Sequence, residues 1–159
     1  MNSNTTTFEE ILSRDGMLVY KIRGVSMLPM LRQNRDLVVI GQPGGRLKPY
    51  DTALYRRGSS YVLHRVIRVT PEGYLIRGDN TYALENVPEQ AVIGVLTSFV
   101  RDGKKISVTD RKYLAYVRFW CAIYPLRAGY VRVRRKVAKI PLARKIYHLL
   151  KKNKGNAAP

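Results

Sequence analysis

Residues 61–80, YVLHRVIRVTPEGYLIRGDN, decide the fold. Their first stretch alternates, with Val62, His64 and Val66 on one face and Leu63, Arg65 and Ile67 on the other, the period of two that belongs to a strand. Pro71-Glu72-Gly73 turns the chain into a second extended run, Tyr74–Arg77, so the pair predicts a hairpin. Gly78-Asp79-Asn80 then supplies good turn chemistry.

Working outward, the same pattern of short strands and turn residues holds from Met17 to Val108. Leu18, Tyr20 and Ile22 alternate before the turn Gly24–Pro29. Asp36–Ile40 and Thr52–Arg56 read as strands, separated by the loop Gly41-Gln42-Pro43-Gly44-Gly45. Ala91–Val100 and Lys105–Val108 flank Asp102-Gly103, a strong hairpin signal. So many short strands with non-local pairing predict a mainly β fold, coiled and partly closed. Thr7-Phe8-Glu9-Glu10 reads as a capping box that opens a short N-terminal helix, Phe8–Arg14, ended by Gly16.

After residue 110 the period changes. Thr109 or Asp110 can cap a helix from Arg111 to Tyr124, which Pro125 interrupts, and Pro141 can begin a last helix over 141–152. The first of these is apolar nearly all round, through Tyr113, Leu114, Tyr116, Val117, Phe119, Trp120 and Ile123, and must be covered by the β part or by lipid. The expected division is a β domain over 1–110 and a basic amphipathic helical tail over 111–159.

The charge supports that division. Of a net +18, residues 1–110 account for +4, with 15 Lys and Arg against all 11 acidic residues; residues 111–159 carry 14 basic residues and no acid. Such a block seeks polyanions: an anionic membrane surface, a membrane protein with acidic contacts, or nucleic acid. Nucleic acid is the weaker alternative, because the aromatics Tyr113 to Tyr124 sit at helical spacing in an apolar run and not among the basic residues as a stacking platform.

No stretch reaches the ~18 apolar residues a spanning helix needs, and no secretion signal is visible. Peripheral attachment at a cytoplasmic face is therefore expected over export. The single cysteine, Cys121, lies in an apolar run and reads as a small buried hydrophobe. No metal-ligand spacing or phosphate loop is present, so no cofactor is expected.

Three polar residues stand out. Ser26 lies in Gly24-Val25-Ser26-Met27-Leu28-Pro29, where Gly24 removes a side chain and Pro29 holds Leu28 extended, displaying a hydroxyl beside backbone N–H groups. Serine needs a base within hydrogen-bond reach. His64, set among valines, loses hydration and stays neutral and basic; His148, between Tyr147 and Leu149 in the tail, suits an interfacial or solvated role. Asp79 can orient His64 and stabilise its imidazolium. Taken singly, each has a bland counterpart: a polar turn residue, a core histidine bonded to a carbonyl, a plain turn.

In order and spacing, Ser26-Met27-Leu28-Pro29, Tyr50-Asp51-Thr52-Ala53-Leu54-Tyr55, His64-Arg65-Val66, Gly78-Asp79-Asn80 and Val92-Ile93-Gly94 resemble the successive boxes of the type I signal peptidases and their self-cleaving repressor relatives. The resemblance covers roughly residues 8–100. It implies Ser26 as nucleophile, with its own N–H in the oxyanion hole, and Asp79 as supporting acid. It also implies His64 as general base, in the position where bacterial members have lysine and the archaeal and endoplasmic-reticulum members have histidine. Gly24, Met27 and Pro29 become the candidate substrate-binding and oxyanion residues, with Leu28 and Met30 as further pocket neighbours. The implied substrate is a leader or precursor peptide cut after small residues. No Ala-Gly or Cys-Gly pair precedes Ser26 to support self-cleavage. The competing expectation is a non-catalytic β domain whose basic tail binds nucleic acid or acidic partners.

Overall fold

Alternation around His64 is realised in β4 (Ser60–Thr70), the longest strand of a computed structural model that describes residues 6–137. His148 and the helix expected over 141–152 lie outside the described residues. Ahead of the sheet, Thr7 caps α1 (Phe8–Asp15): its hydroxyl accepts from the Glu10 N–H, and the Glu10 carboxylate accepts from the Thr7 N–H. Gly16, at φ 70°, ends the helix in the left-handed region that glycine enters without a Cβ clash.

The strands in chain order are β1 (Met17–Lys21), β2 (Leu37–Gly41), β3 (Thr52–Arg57), β4, β5 (Gly73–Arg77), β6 (Glu85–Pro88), β7 (Val92–Arg101) and β8 (Lys104–Ser107). They form one antiparallel sheet in the order β1-β2-β7-β3-β4-β5-β6, with β8 paired to β7 off that path. The path does not close on itself. Register shifts at Val39/Ile40, Leu54/Tyr55 and Val66/Arg68 interrupt three of the pairings. Such irregularities bend strands and strengthen their twist, which is how an open sheet coils.

The sheet is buried on both faces. One cluster gathers Leu12 of α1, Val38 and Ile40 of β2, Leu54, Leu63, Leu96 and Phe99, together with Met27, Met30 and Leu31 from the segment after β1. The other gathers Leu47, Ala53, Tyr55, Val66, Tyr74, Ile76 and Val87. Consecutive β3 residues therefore go to opposite clusters, and Thr52-Ala53-Leu54-Tyr55 is buried throughout.

Strand β6 was not expected. Its segment lacks alternation and ends in Pro88, which has no N–H for a ladder; the strand is tolerated at the end of the strand order, bonded to β5 alone.

Two helices follow, α2 (Arg111–Ala122) and α3 (Tyr124–Val137). The break comes at Ile123, and Pro125 sits in the first turn of α3, where a missing N–H costs little. The chain divides into two compact units between Cys121 and Ala122, so most of α2 goes with the strands. The cause is the apolar face of α2: Tyr113 and Val117, one turn apart, are 7% and 1% exposed in the first cluster, and Cys121 packs against it. Coverage is one-sided, because Phe119 remains 61% exposed. Among the described residues, no helix is long and apolar enough to cross a membrane.

Candidate active site

The residues between β1 and β2 turn back on themselves: the Leu28 N–H donates to the Val25 carbonyl, and the Leu31 N–H donates to the Met27 carbonyl. Gly24 takes φ 83° at the entrance, and the Leu28-Pro29 bond is cis. Met27 and Met30 anchor the turn in the core at 2% and 3% exposure, which leaves Ser26 half-buried at its crest.

Residue 78 joins this turn to β4. A Cβ placed on Gly78 would lie 2.7 Å from the Ser26 carbonyl oxygen and 3.0 Å from His64 Nε2, so serine, histidine and the Gly78 backbone converge on one point. The contact is fastened by the Asn80 N–H, which donates to the Ser26 carbonyl at 2.7 Å, and by the Asn80 side-chain amide, which donates to the Val25 carbonyl at 3.2 Å. Among the described residues the Ser26 hydroxyl and His64 share no hydrogen bond; it is the Ser26 backbone carbonyl that approaches His64 through Gly78, and both residues line one cleft.

His64 is 5% exposed and paired in register with Ala53. On its far side, Nδ1 lies 3.3 Å from Glu85 Oε1 and 3.3 Å from the Tyr55 hydroxyl. That hydroxyl donates to Glu85 Oε2 at 2.9 Å, so its oxygen is left to accept. Nδ1 thus faces two acceptors and carries the proton, while Nε2, the nitrogen beside Gly78 and Ser26, is left with its lone pair. Burial pushes the His64 pKa below its ordinary value. Glu85 pulls it partly back up and Arg57 adds to the depression, so the imidazole is neutral near pH 7.

Burial alone would raise the Glu85 pKa. Hydrogen bonds from Tyr55 and from Arg57, the latter at 3.0 Å, together with the charges of His64 and Arg57, outweigh it and hold the carboxyl below the usual range.

Asp79, expected to support His64, is engaged elsewhere. Its Oδ1 accepts from Arg65 Nε and its Oδ2 from Arg65 Nη2, both at 2.7 Å, in a fork-to-fork pair at 0% and 5% exposure. The reason lies in the strand: Arg65 follows His64 and so points to the opposite face, toward Met30 and the Tyr113 hydroxyl. The carboxylate at His64 Nδ1 is that of Glu85, a residue missed together with β6. The signal available was an acid six residues beyond Asp79, with apolar Leu84 and Val87 about it.

A cleft of about 970 Å³ opens over Ser26 and His64. Gly24 and Met27 line it. Pro29, which is exposed, and Met30, which lies under Arg65, do not. Two runs of consecutive residues, 20–24 and 59–64, form its walls. Alternate side chains of an extended run point to opposite sides, so a wall made of consecutive residues presents a backbone edge. Both edges stand at ends of the hydrogen-bonding pattern: β1 ends the strand order, and β4 meets β5 only from Arg65 onward. Phe8, stacked on Tyr61 with centroids 4.5 Å apart, closes one end with Tyr20.

No family model matches the chain, and no curated protein matches it.

Proposed function

We propose that this chain is a serine peptidase of the signal-peptidase type, which cleaves a leader or precursor peptide after small residues while its basic tail holds it at an anionic membrane surface. The observation that carries the reading is the approach of the Ser26 backbone and His64 Nε2 to Gly78, at the base of a cleft with two open backbone edges that both residues line.

In this mechanism an extended peptide adds as a strand along 20–24 or 59–64, bringing its scissile carbonyl over Ser26. His64 Nε2 takes the hydroxyl proton as the oxygen attacks, and Glu85 at Nδ1 stabilises the imidazolium that forms. The same proton then passes to the leaving amine. The resulting acyl-enzyme is hydrolysed when water, deprotonated by His64, attacks the ester; the acyl–Oγ bond breaks, His64 returns the proton to Ser26 and the acid product leaves. Small residues at the cut suit the floor, because Met27 and Leu63, at 2% and 5% exposure, already fill the apolar layer beneath the cleft. Fourteen basic residues against no acid over 111–159 supply the membrane attraction, at roughly 1 kcal/mol for each Lys or Arg that reaches the surface.

A serine-directed fluorophosphonate or a penem probe tests the chemistry. The parent protein should be labelled, and Ser26→Ala and His64→Ala should not. Equal labelling of Ser26→Ala removes the nucleophile from the reading, and undiminished labelling of His64→Ala removes the base.

A further inference from the structure

Helix α3 belongs to the second unit and presents a ridge that its own unit leaves uncovered. Leu126, Tyr130 and Val133, spaced four and three apart and therefore in one row along the helix, are 76%, 68% and 61% exposed. Arg127 and Arg134 run beside this row, three residues before Tyr130 and four after it, and Arg132 and Arg134 are exposed. No acidic residue occurs anywhere in the helix.

Scattered exposed apolar residues need no explanation, but a continuous row bordered by one sign of charge has a specific complement. A second copy of the helix would bring the same positive charge against itself. Nucleic acid would satisfy the arginines and leave the aliphatic row facing phosphates and water. A bilayer containing anionic lipid satisfies both at once, with acyl chains for the row and headgroups for the arginines.

We infer that α3 lies in the plane of an anionic bilayer and inserts Leu126, Tyr130 and Val133 below the headgroups, with the exposed Arg132 and Arg134 at headgroup level. The inference rests on the proposed membrane retention and not on the hydrolase chemistry. It adds that retention is by insertion as well as by charge. Charge alone is screened away when the Debye length falls to about 3 Å in about 1 M salt, whereas a buried apolar row is not.

Flotation of the full chain with vesicles tests this, using phosphatidylcholine alone and phosphatidylcholine mixed with phosphatidylglycerol. The parent should float much more completely with the mixed vesicles than with the neutral ones, and should keep a measurable bound fraction on the mixed vesicles in about 1 M salt. Leu126→Ser combined with Val133→Ser should partition at least about tenfold more weakly and lose the salt-resistant fraction, with its circular dichroism unchanged. Tyr130→Ser should show a smaller loss. Flotation of the double variant equal to the parent's overturns insertion while leaving retention by charge standing. A parent that ignores mixed vesicles, or that binds duplex DNA in their place, overturns both. Ser26→Ala should float like the parent, which separates the result from the peptidase reading.

Discussion

Replacing Asp79 with alanine separates a catalytic acid from a structural one. Among the described residues the Asp79 carboxylate is the only anionic partner of Arg65, whose side chain is wholly buried; its other contacts are the Tyr50 carbonyl at 2.9 Å, the Tyr113 hydroxyl at 3.3 Å and the Met30 sulfur at 2.8 Å. Burial works against the Arg65 charge, and the Asp79 hydrogen bonds and charge more than offset it, so the guanidinium is held above its ordinary pKa. Removing the carboxylate leaves a buried cation with neutral partners, a change that costs about 3–5 kcal/mol. For a unit of this size, that lowers the melting temperature by on the order of 10–20 °C. Thermal melts followed by circular dichroism measure it directly. Asp79→Leu combined with Arg65→Met should recover most of the loss, because a buried ion pair replaced as a whole by apolar groups of similar volume is often near neutral in stability. Suppose instead that Asp79→Ala melts within about 2 °C of the parent while probe labelling of Ser26 disappears; Asp79 would then act on the chemistry, and the division of labour between the two acids would be refuted.

Glu85→Gln should show the opposite profile: a melting temperature close to the parent's, because its Arg57 pair is exposed and worth little, and a much slower labelling of Ser26. The pH profile gives the sign. In the proposed mechanism neutral His64 is the active form, and its pKa is depressed, so labelling should rise on the acid side and be level before pH 7; in Glu85→Gln the larger of the acidic contributions that pull this pKa up is gone, and the acid limb should move to still lower pH. A limb centred above the ordinary histidine value of about 6.5 would contradict the burial of His64 as the controlling influence. Gly78→Ala should lose labelling by far more than it loses stability, because its Cβ would press on the Ser26 carbonyl and on His64 Nε2 together, and full labelling in that variant would show that the convergence at residue 78 is not needed.

The hairpin β4–β5 was legible because period-two alternation and Pro71-Glu72-Gly73 report backbone geometry directly, and the serine turn was legible because proline restricts φ and glycine opens the left-handed region wherever they stand. The partner of His64 was not, for a reason that lies in the strand itself. His64 and Arg65 are adjacent in sequence, and a strand sends adjacent side chains to opposite faces, so a carboxylate brought near this point meets either the imidazole or the guanidinium. An aspartate arriving on the Arg65 face is taken by both of its oxygens, because the planar fork of arginine matches a carboxylate while an imidazole offers a single N–H. The acid on the other face arrives on β6, a strand concealed by Pro88 and by the absence of alternation. Order along the chain pointed to Asp79; the two faces of one strand, each claiming one acid, point to Glu85. Wherever His-Arg occurs on a strand with two acids downstream, the same physics asks first which face each acid reaches.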